Sequence, residues 1–189
     1  MKKFKSLKDP SLIRLIKEGS IGILPTDTVY GLVCSAFNPD SLSRVNGLKG
    51  REIRKGVVIA ANIDQLVSIG LKKRYLKAVE EYWPGPVSVV IPCSNVVNNL
   101  DLGTHYMGVR IPDHQELLKL LDETGPLVTS SANMTGETPV NNIELAESAF
   151  GDKLDFYVDG GDYSNKEPSA LIQIVDDAVE VIRPGYGFN

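Results

Sequence analysis

Hydroxyl side chains recur at every second position near the end of the first apolar segment. The stretch 25–31 reads PTDTVYG and follows the apolar run 21–24. In an extended chain Thr26, Thr28 and Tyr30 would point to one side and could hydrogen-bond a ligand. The alternative is a strand end whose hydroxyls bond their own backbone.

A second polar run follows the apolar pair Leu127 and Val128, with the sequence TSSAN. Thr129, Ser131 and Asn133 alternate, and the small neighbour Ala132 would let a ligand come close. A helix-capping box or a plain turn is the other interpretation of such a run. Two hydroxyls and an amide at this spacing predict a second polar edge for a ligand.

Residues 44–55 form a cationic stretch in a chain whose net charge is −4. The stretch contains one acidic residue, Glu52, and five basic residues, Arg44, Lys49, Arg51, Arg54 and Lys55. Gly47 and Gly50 interrupt helix continuity, so an extended geometry could bring Lys49 and Arg51 to one phosphate-bearing ligand. A solvated surface loop is the commoner outcome for a charge run of this kind.

One arginine, Arg110, lies within the apolar run 107–111. A buried guanidinium is costly without an anionic partner. The partner is either an Asp or Glu elsewhere in the chain, in a structural ion pair, or the carboxylate of a substrate, which matches the arginine fork.

Composition and motifs exclude several classes of protein. The 189 residues are 42% hydrophobic, which fits an ordinary globular domain, and the net acidic charge excludes a generally basic nucleic-acid coat. Two cysteines and two histidines exclude a disulfide scaffold and disfavour a multi-histidine metal site. The chain contains no P-loop, dinucleotide fingerprint, nucleophile elbow or HExxH sequence. Without a bilayer-length apolar run or a signal peptide, we expect a reduced, cytoplasmic protein with no membrane contact.

Helical and strand patterns alternate along the chain and must position these side chains. Periodicity predicts helices over 11–18, 41–48, 64–68, 75–83, 114–123 and 143–150. It predicts strands over 21–24, 57–61, 87–91, 107–111, 154–158, 170–175 and 179–182, and another that begins at 127. The last two strands form a predicted hairpin, which favours a mixed α/β (or α+β) sheet in a single domain, residues 1–189.

Six ordered segments resemble the YrdC-like family, the threonylcarbamoyl-AMP synthases. They are LPTDTVYGL, LKGR, WPGPVSVVI, GVRIPDH, TSSAN and VIRPG, and the match runs from about Leu12 to Gly185. The resemblance implies a twisted mixed sheet with packed helices around a concave cationic cleft. It also implies the short, single-domain form of the family.

The resemblance implies roles for individual residues. The family signature falls on Lys49, Arg51, Ser131 and Asn133, and the first two are the implied catalytic residues. The implied ATP contacts are Arg51, Lys55, Thr129, Asn133, Asn141 and Arg183. The implied threonine contacts are Thr28, Arg110, Ser131 and Ser169. No side chain is implied as a metal ligand.

Three positions depart from the family pattern. Glu52 and Gly56 stand where members usually have proline, and Ala60 stands where some have a histidine that contacts threonine. The signature residues are nevertheless present, which favours the synthase group over a sister group that lacks them.

The implied reaction is that of a nucleotidyltransferase. L-threonine, bicarbonate and ATP give threonylcarbamoyl-adenylate and pyrophosphate, with Mg²⁺ held by the phosphates. A separate tRNA threonylcarbamoyl transferase complex would take the product, and contact with RNA or tRNA would be weak. Two alternatives remain open at this point: an RNA-binding module, and a related carbamoyl-transfer domain that uses carbamoyl phosphate.

Overall fold

The computed structural model describes residues 1–49, 56–134, 136–176 and 178–188. Its strands are β1 Lys2–Phe4, β2 Gly22–Leu24, β3 Gly31–Ser35, β4 Val57–Ile59, β5 Val87–Pro92, β6 Tyr106–Arg110, β7 Leu127–Ser131, β8 Phe156–Val158, β9 Ala170–Val175 and β10 Ala178–Arg183. Its α-helices are α1 Pro10–Lys17, α2 Pro39–Leu48, α3 Ile63–Ser68, α4 Lys73–Lys77, α5 Gln115–Thr124 and α6 Ile143–Phe150.

All of these strands join one mixed sheet, in the order β1-β8-β2-β3-β7-β4-β6-β5-β9-β10. β8 pairs in parallel with β1 and β2, β4 with β6, and β5 with β9. The remaining neighbours are antiparallel, including the closing hairpin of β9 and β10. The predicted mixed α/β fold and its hairpin are therefore confirmed.

Capping residues begin helices α1 and α2 near the positions that the sequence predicts. α1 begins at Asp9, whose carboxylate accepts a hydrogen bond from the Ser11 amide at 2.8 Å, and it stops before Gly19, whose φ is +91°. α2 begins in the same way at Asn38, which accepts from the Ser41 amide at 2.9 Å.

Alternate residues of the central strands enter two separate apolar clusters, one on each face of the sheet. Leu32 and Val58 belong to the cluster that also contains buried residues of α2, α3 and α6. Val33 and Ile59 belong to the second, which contains buried residues of α1 and α5. The central strands are therefore covered by apolar packing on both faces.

Several local features differ from the sequence prediction, and one of them is strand β1, which the periodicity did not predict. All five residues of β3 are buried, so this strand shows no apolar and polar alternation, and its pattern did not mark it as a strand. The helix predicted over 75–83 divides into α4 and a 3₁₀ turn at 80–82. It cannot continue because Trp83 precedes a proline and is extended, with φ −130° and ψ 147°.

Within the described ranges, no helix has the length and apolar character needed to span a bilayer.

Candidate active site

A cavity of about 470 Å³ lies beside the ends of the central strands. It is bounded by the β2–β3 loop, the end of α2, strands β4 to β7 and the start of β9. Eight residues predicted from the sequence line it together, namely Thr28, Lys49, Arg110, Thr129, Ser131, Asn133, Ser169 and Arg183. Segments up to 155 positions apart in the chain, from residue 28 to residue 183, therefore converge on one space.

Lys49, Ser131 and Asn133 form a hydrogen-bonded group that we call the Lys49 cluster. The Lys49 ammonium follows the last turn of α2 and donates to the carbonyl oxygens of Ser131 and Asn133, each at 2.6 Å. It also donates to Asn133 Oδ1 at 3.2 Å, and the Ser131 hydroxyl donates to the same oxygen at 2.6 Å. The cluster therefore fixes a cation at the end of β7, on the wall of the cavity.

Partial burial lowers the pKa of Lys49 to about 8. Desolvation is the cause, because it disfavours the charged form of an amine. The ammonium is therefore mostly charged at pH 7, and it loses its proton as the pH rises through about 8. Binding an anion in the cavity favours the charged form.

ATP affinity is expected to fall as the pH rises above about 8. If only the charged form of Lys49 binds the phosphates, the Kd for ATP rises up to about tenfold between pH 7 and pH 9. Calorimetric titration with ATP and Mg²⁺ alone would measure this, because omitting threonine removes the titration of its amine. A Lys49→Met variant serves as the control and should show a weak, flat profile. A wild-type Kd that does not change over this range would contradict the assignment.

Arg110, at the end of β6, is paired with Asp27 of the β2–β3 loop. Arg110 Nη1 lies 2.5 Å from Asp27 Oδ1, and the two side chains are only 4% and 7% exposed. Arg110 Nη2 makes a loose contact of 3.5 Å with Thr28 Oγ1, and Nε has no hydrogen-bond partner among the described residues. The structural ion pair considered from the sequence is thus present, while the same arginine lines the cavity. Its contact with a substrate carboxylate stays a prediction.

Ser169 lies just before β9. In the sheet, strands β4, β6 and β5 separate β9 from β7, which carries the Lys49 cluster. The Ser169 hydroxyl lies 3.1 Å from that of Ser88, and its backbone oxygen accepts from Arg183 Nη2 at 2.9 Å. Burial lowers the pKa of Arg183, and the nearby charge of Arg110 lowers it further. Two guanidinium groups therefore act on the same space, and an anion between them would relieve their repulsion.

The hydroxyls of the β2–β3 loop are not on an extended edge, and that prediction is wrong. Thr26 Oγ1 accepts from the Thr28 amide at 3.1 Å and donates to the Val29 oxygen at 2.8 Å, so it stabilises a turn. Tyr30 is fully buried, and its hydroxyl is bonded to the backbone of 160 and 161. Burial raises the pKa of Tyr30 to about 12, so this phenol stays protonated. All three residues line the cavity, and the contact of Thr28 with threonine stays a prediction.

The predicted ATP contact Asn141 does not line the cavity. Its side-chain amide donates to Ser164 Oγ at 3.0 Å, and its backbone oxygen accepts from the Tyr163 amide at 2.7 Å. Arg51 and Lys55, together with Glu52, lie outside the described residues, and their roles stay predictions. Gly56 lines the cavity, and Ala60 is fully buried in the core.

Sequence reasoning missed several polar residues of the site, among them Asn46, Ser88 and Glu137 on the cavity lining and Asp27, which pairs with Arg110. Asp27 stands between two threonines, and its role depends on an arginine 83 positions away. Ser88 is a lone hydroxyl in the apolar run of β5, a signal of the same kind as the lone arginine of β6.

The described residues that line the cavity include three basic side chains, Lys49, Arg110 and Arg183, and one acidic side chain, Glu137. The predicted cationic character of the cleft depends also on residues 50–55 and stays a prediction. Within the part of the chain that the structure describes, no group of three or more His, Cys, Asp and Glu side chains could hold a metal ion.

Known proteins resemble this chain in both sequence and fold. The model of the Sua5/YciO/YrdC family, described as "Telomere recombination", matches residues 14–185. The threonylcarbamoyl-AMP synthase of Pseudomonas aeruginosa is 34% identical over 175 residues, which cover 90% of this chain and 94% of that protein.

Two solved structures share the fold. P. abyssi Sua5 complexed with L-threonine superposes with a TM-score of 0.84 and 27% identity over 97% of this chain. The chain spans 57% of that protein's length. E. coli YciO superposes with a TM-score of 0.81 and 18% identity, covering 98% of this chain and 95% of that one, and this likeness concerns the fold alone.

Proposed function

The chain belongs to the Sua5/YciO/YrdC family, and from that premise we propose that it is a threonylcarbamoyl-AMP synthase. The proposed substrates are L-threonine, bicarbonate and ATP. The observation that carries the proposal is the convergence of eight predicted substrate-binding residues on one cavity of about 470 Å³. This volume is within the usual range for a small-molecule site.

The proposed reaction has two steps. The threonine amine and bicarbonate combine to a carbamate with loss of water. A carbamate oxygen then attacks the α-phosphorus of ATP, and the bond to the bridging oxygen breaks as pyrophosphate leaves. An anion thus attacks a polyanion, so charge stabilisation is the main requirement and no general base is needed for this second step.

The Lys49 cluster and Arg183 meet that requirement in the proposed mechanism. Lys49 is held by two backbone carbonyls, so its position is set before the phosphates bind. Arg183 is held by the Ser169 carbonyl just before β9, and strands β4, β6 and β5 lie between β9 and β7 in the sheet. Cations fixed in advance stabilise developing charge without reorganising during the reaction. Asn133 and Thr129 would contact the nucleotide from the end of β7.

Arg110, Thr28 and Ser169 form the proposed threonine site. The guanidinium would bind the carboxylate, and the two hydroxyls would contact the polar groups of the amino acid. Holding the carbamate in line with the α-phosphate supplies much of the remaining rate enhancement.

We propose that Mg²⁺ enters with the triphosphate rather than on ligands of the protein. The ion would neutralise phosphate charge. We also propose that the product passes to a separate tRNA threonylcarbamoyl transferase complex in the cytoplasm, and that any contact with tRNA is weak.

Pyrophosphate release is expected only when threonine, bicarbonate and ATP are all present. A coupled pyrophosphate assay in which each substrate is omitted in turn tests this directly. Threonylcarbamoyl-adenylate should accumulate in step with pyrophosphate, as measured by chromatography and mass spectrometry. Equal release without threonine would indicate a pyrophosphatase, and carbamoyl phosphate replacing both threonine and bicarbonate would favour the carbamoyl-transfer alternative.

A further inference from the structure

We infer that Asp27 is a positioning residue that sets the orientation of Arg110 for the threonine carboxylate. The inference rests on the proposed function, and it assigns a role to a residue that neither the motif analysis nor the proposed mechanism uses. Asp27 lies in the β2–β3 loop, between the two threonines of that loop.

Asp27 holds Arg110 from one end of the guanidinium. Its Oδ1 lies 2.5 Å from Arg110 Nη1, and its Oδ2 accepts from the Asp113 amide at 3.0 Å. Asp113 lies just before α5, whose first turn is capped by His114. The carboxylate therefore connects the β2–β3 loop to the end of β6 and the start of α5.

Burial makes the contact between Asp27 and Arg110 important for how the guanidinium is oriented. The Arg110 side chain is only 4% exposed, so its charge requires a nearby anion. An arginine side chain also has several torsions that must be fixed for bidentate recognition. Each oxygen of Asp27 accepts from a group of the protein, Oδ1 from Arg110 and Oδ2 from the Asp113 amide, so the carboxylate is itself held in place.

The cavity is lined by Arg110 and not by Asp27 among the described residues. Nη2 makes a 3.5 Å contact with the hydroxyl of Thr28, which also lines the cavity, and this distance is too long for a strong hydrogen bond. Nη1 therefore donates to Asp27, while Nη2 can still donate a hydrogen bond to a ligand. A carboxylate that binds there would meet a guanidinium whose orientation is already set.

Asp27→Asn tests the inference, because the amide keeps the shape and can still accept from the Asp113 amide. We expect the KM for threonine to rise about tenfold or more, since a small misplacement of a binding group has effects of that size. The KM for ATP should stay within about twofold, because the lost contact touches only the Arg110 side of the cavity.

Asp155→Asn is a matched control. Asp155 pairs with Arg44 through Nη1 at 2.8 Å and accepts from the Ile21 amide at 2.8 Å, so it makes the same two kinds of contact away from the cavity. We expect it to lower Tm without changing the KM for threonine. If Asp27 has only a structural role, Asp27→Asn should likewise lower Tm without changing the KM for threonine.

A ligand comparison separates positioning from general damage. L-threoninol lacks the carboxylate, and as a competitor it should bind the wild type much more weakly than L-threonine does. Asp27→Asn should lose most of this discrimination, and Asp155→Asn should keep it. Asp27→Glu, which retains the charge but moves it by one methylene, is measured in parallel in case the amide variant does not fold, and it should also lose discrimination.

The two hypotheses fail in different ways. A wild type that releases no pyrophosphate in response to threonine would overturn the proposed function. An active wild type, combined with Asp27 variants that keep both the threonine KM and the preference for threonine over threoninol, would overturn the positioning role alone.

Discussion

Replacing Lys49 by alanine is expected to lower kcat/KM for ATP about hundredfold, which corresponds to roughly 3 kcal/mol of lost charge stabilisation. The variant should fold, because Lys49 follows the last turn of α2 and the two carbonyls that it leaves line a cavity that water can enter. Steady-state pyrophosphate release at pH 7.5 measures the loss, and circular dichroism checks the fold.

Lys77→Ala is a suitable control for this prediction. Lys77 is an exposed lysine of α4 that pairs with Glu80 at 2.5 Å, and it does not line the active-site cavity. Its removal changes the net charge by the same amount and should leave kcat/KM within about twofold, as expected for an exposed pair. Wild-type turnover in Lys49→Ala would show that the lysine only ties α2 to β7.

Replacing Arg110 by alanine should have two separate effects, a higher KM for threonine and a lower free energy of unfolding. The second follows because Asp27 would keep a buried, unpaired charge, and breaking a buried ion pair from one side costs about 3–5 kcal/mol. Urea unfolding measures the stability, and threonine titration in the pyrophosphate assay measures the KM.

The double variant Asp27→Ala with Arg110→Ala distinguishes these effects. It removes both charges, so it should recover much of the stability that Arg110→Ala loses. It should not recover threonine binding, because the cation is still absent. A double variant with normal threonine dependence would show that Arg110 has only a structural role.

The sequence allowed the strand ends of the site to be identified but not the contacts between them. Lys49, Ser131 and Asn133 could be singled out because a polar run that follows an apolar strand is a local pattern. The pairing of Asp27 with Arg110 could not be derived, since 83 residues separate them and many other carboxylates were equally available.

The errors have equally local causes. The extended edge at 26–30 was wrong because the Thr26 hydroxyl bonds its own backbone and forms a turn, an outcome that alternation of residue types does not reveal. Strand β3 is buried on both faces and therefore lacks the period of two on which strand prediction depends. The predicted ATP contact of Asn141 is not among these errors and stays a prediction, although its side chain is bonded to Ser164 outside the cavity lining.

The strand order determines when, during synthesis of the chain, the active-site cavity can form. Gly31 is opposite Ser131 in the sheet, and Val87 is opposite Ala170, so the cavity walls pair early segments with late ones. A ribosome adding about 5–20 residues per second completes Thr28 on the order of ten seconds before Arg183. Half of the cavity is thus synthesised well before its partner strands exist. During that interval α1 lacks the α5 residues that share its apolar cluster, and the nascent chain cannot yet hold a substrate.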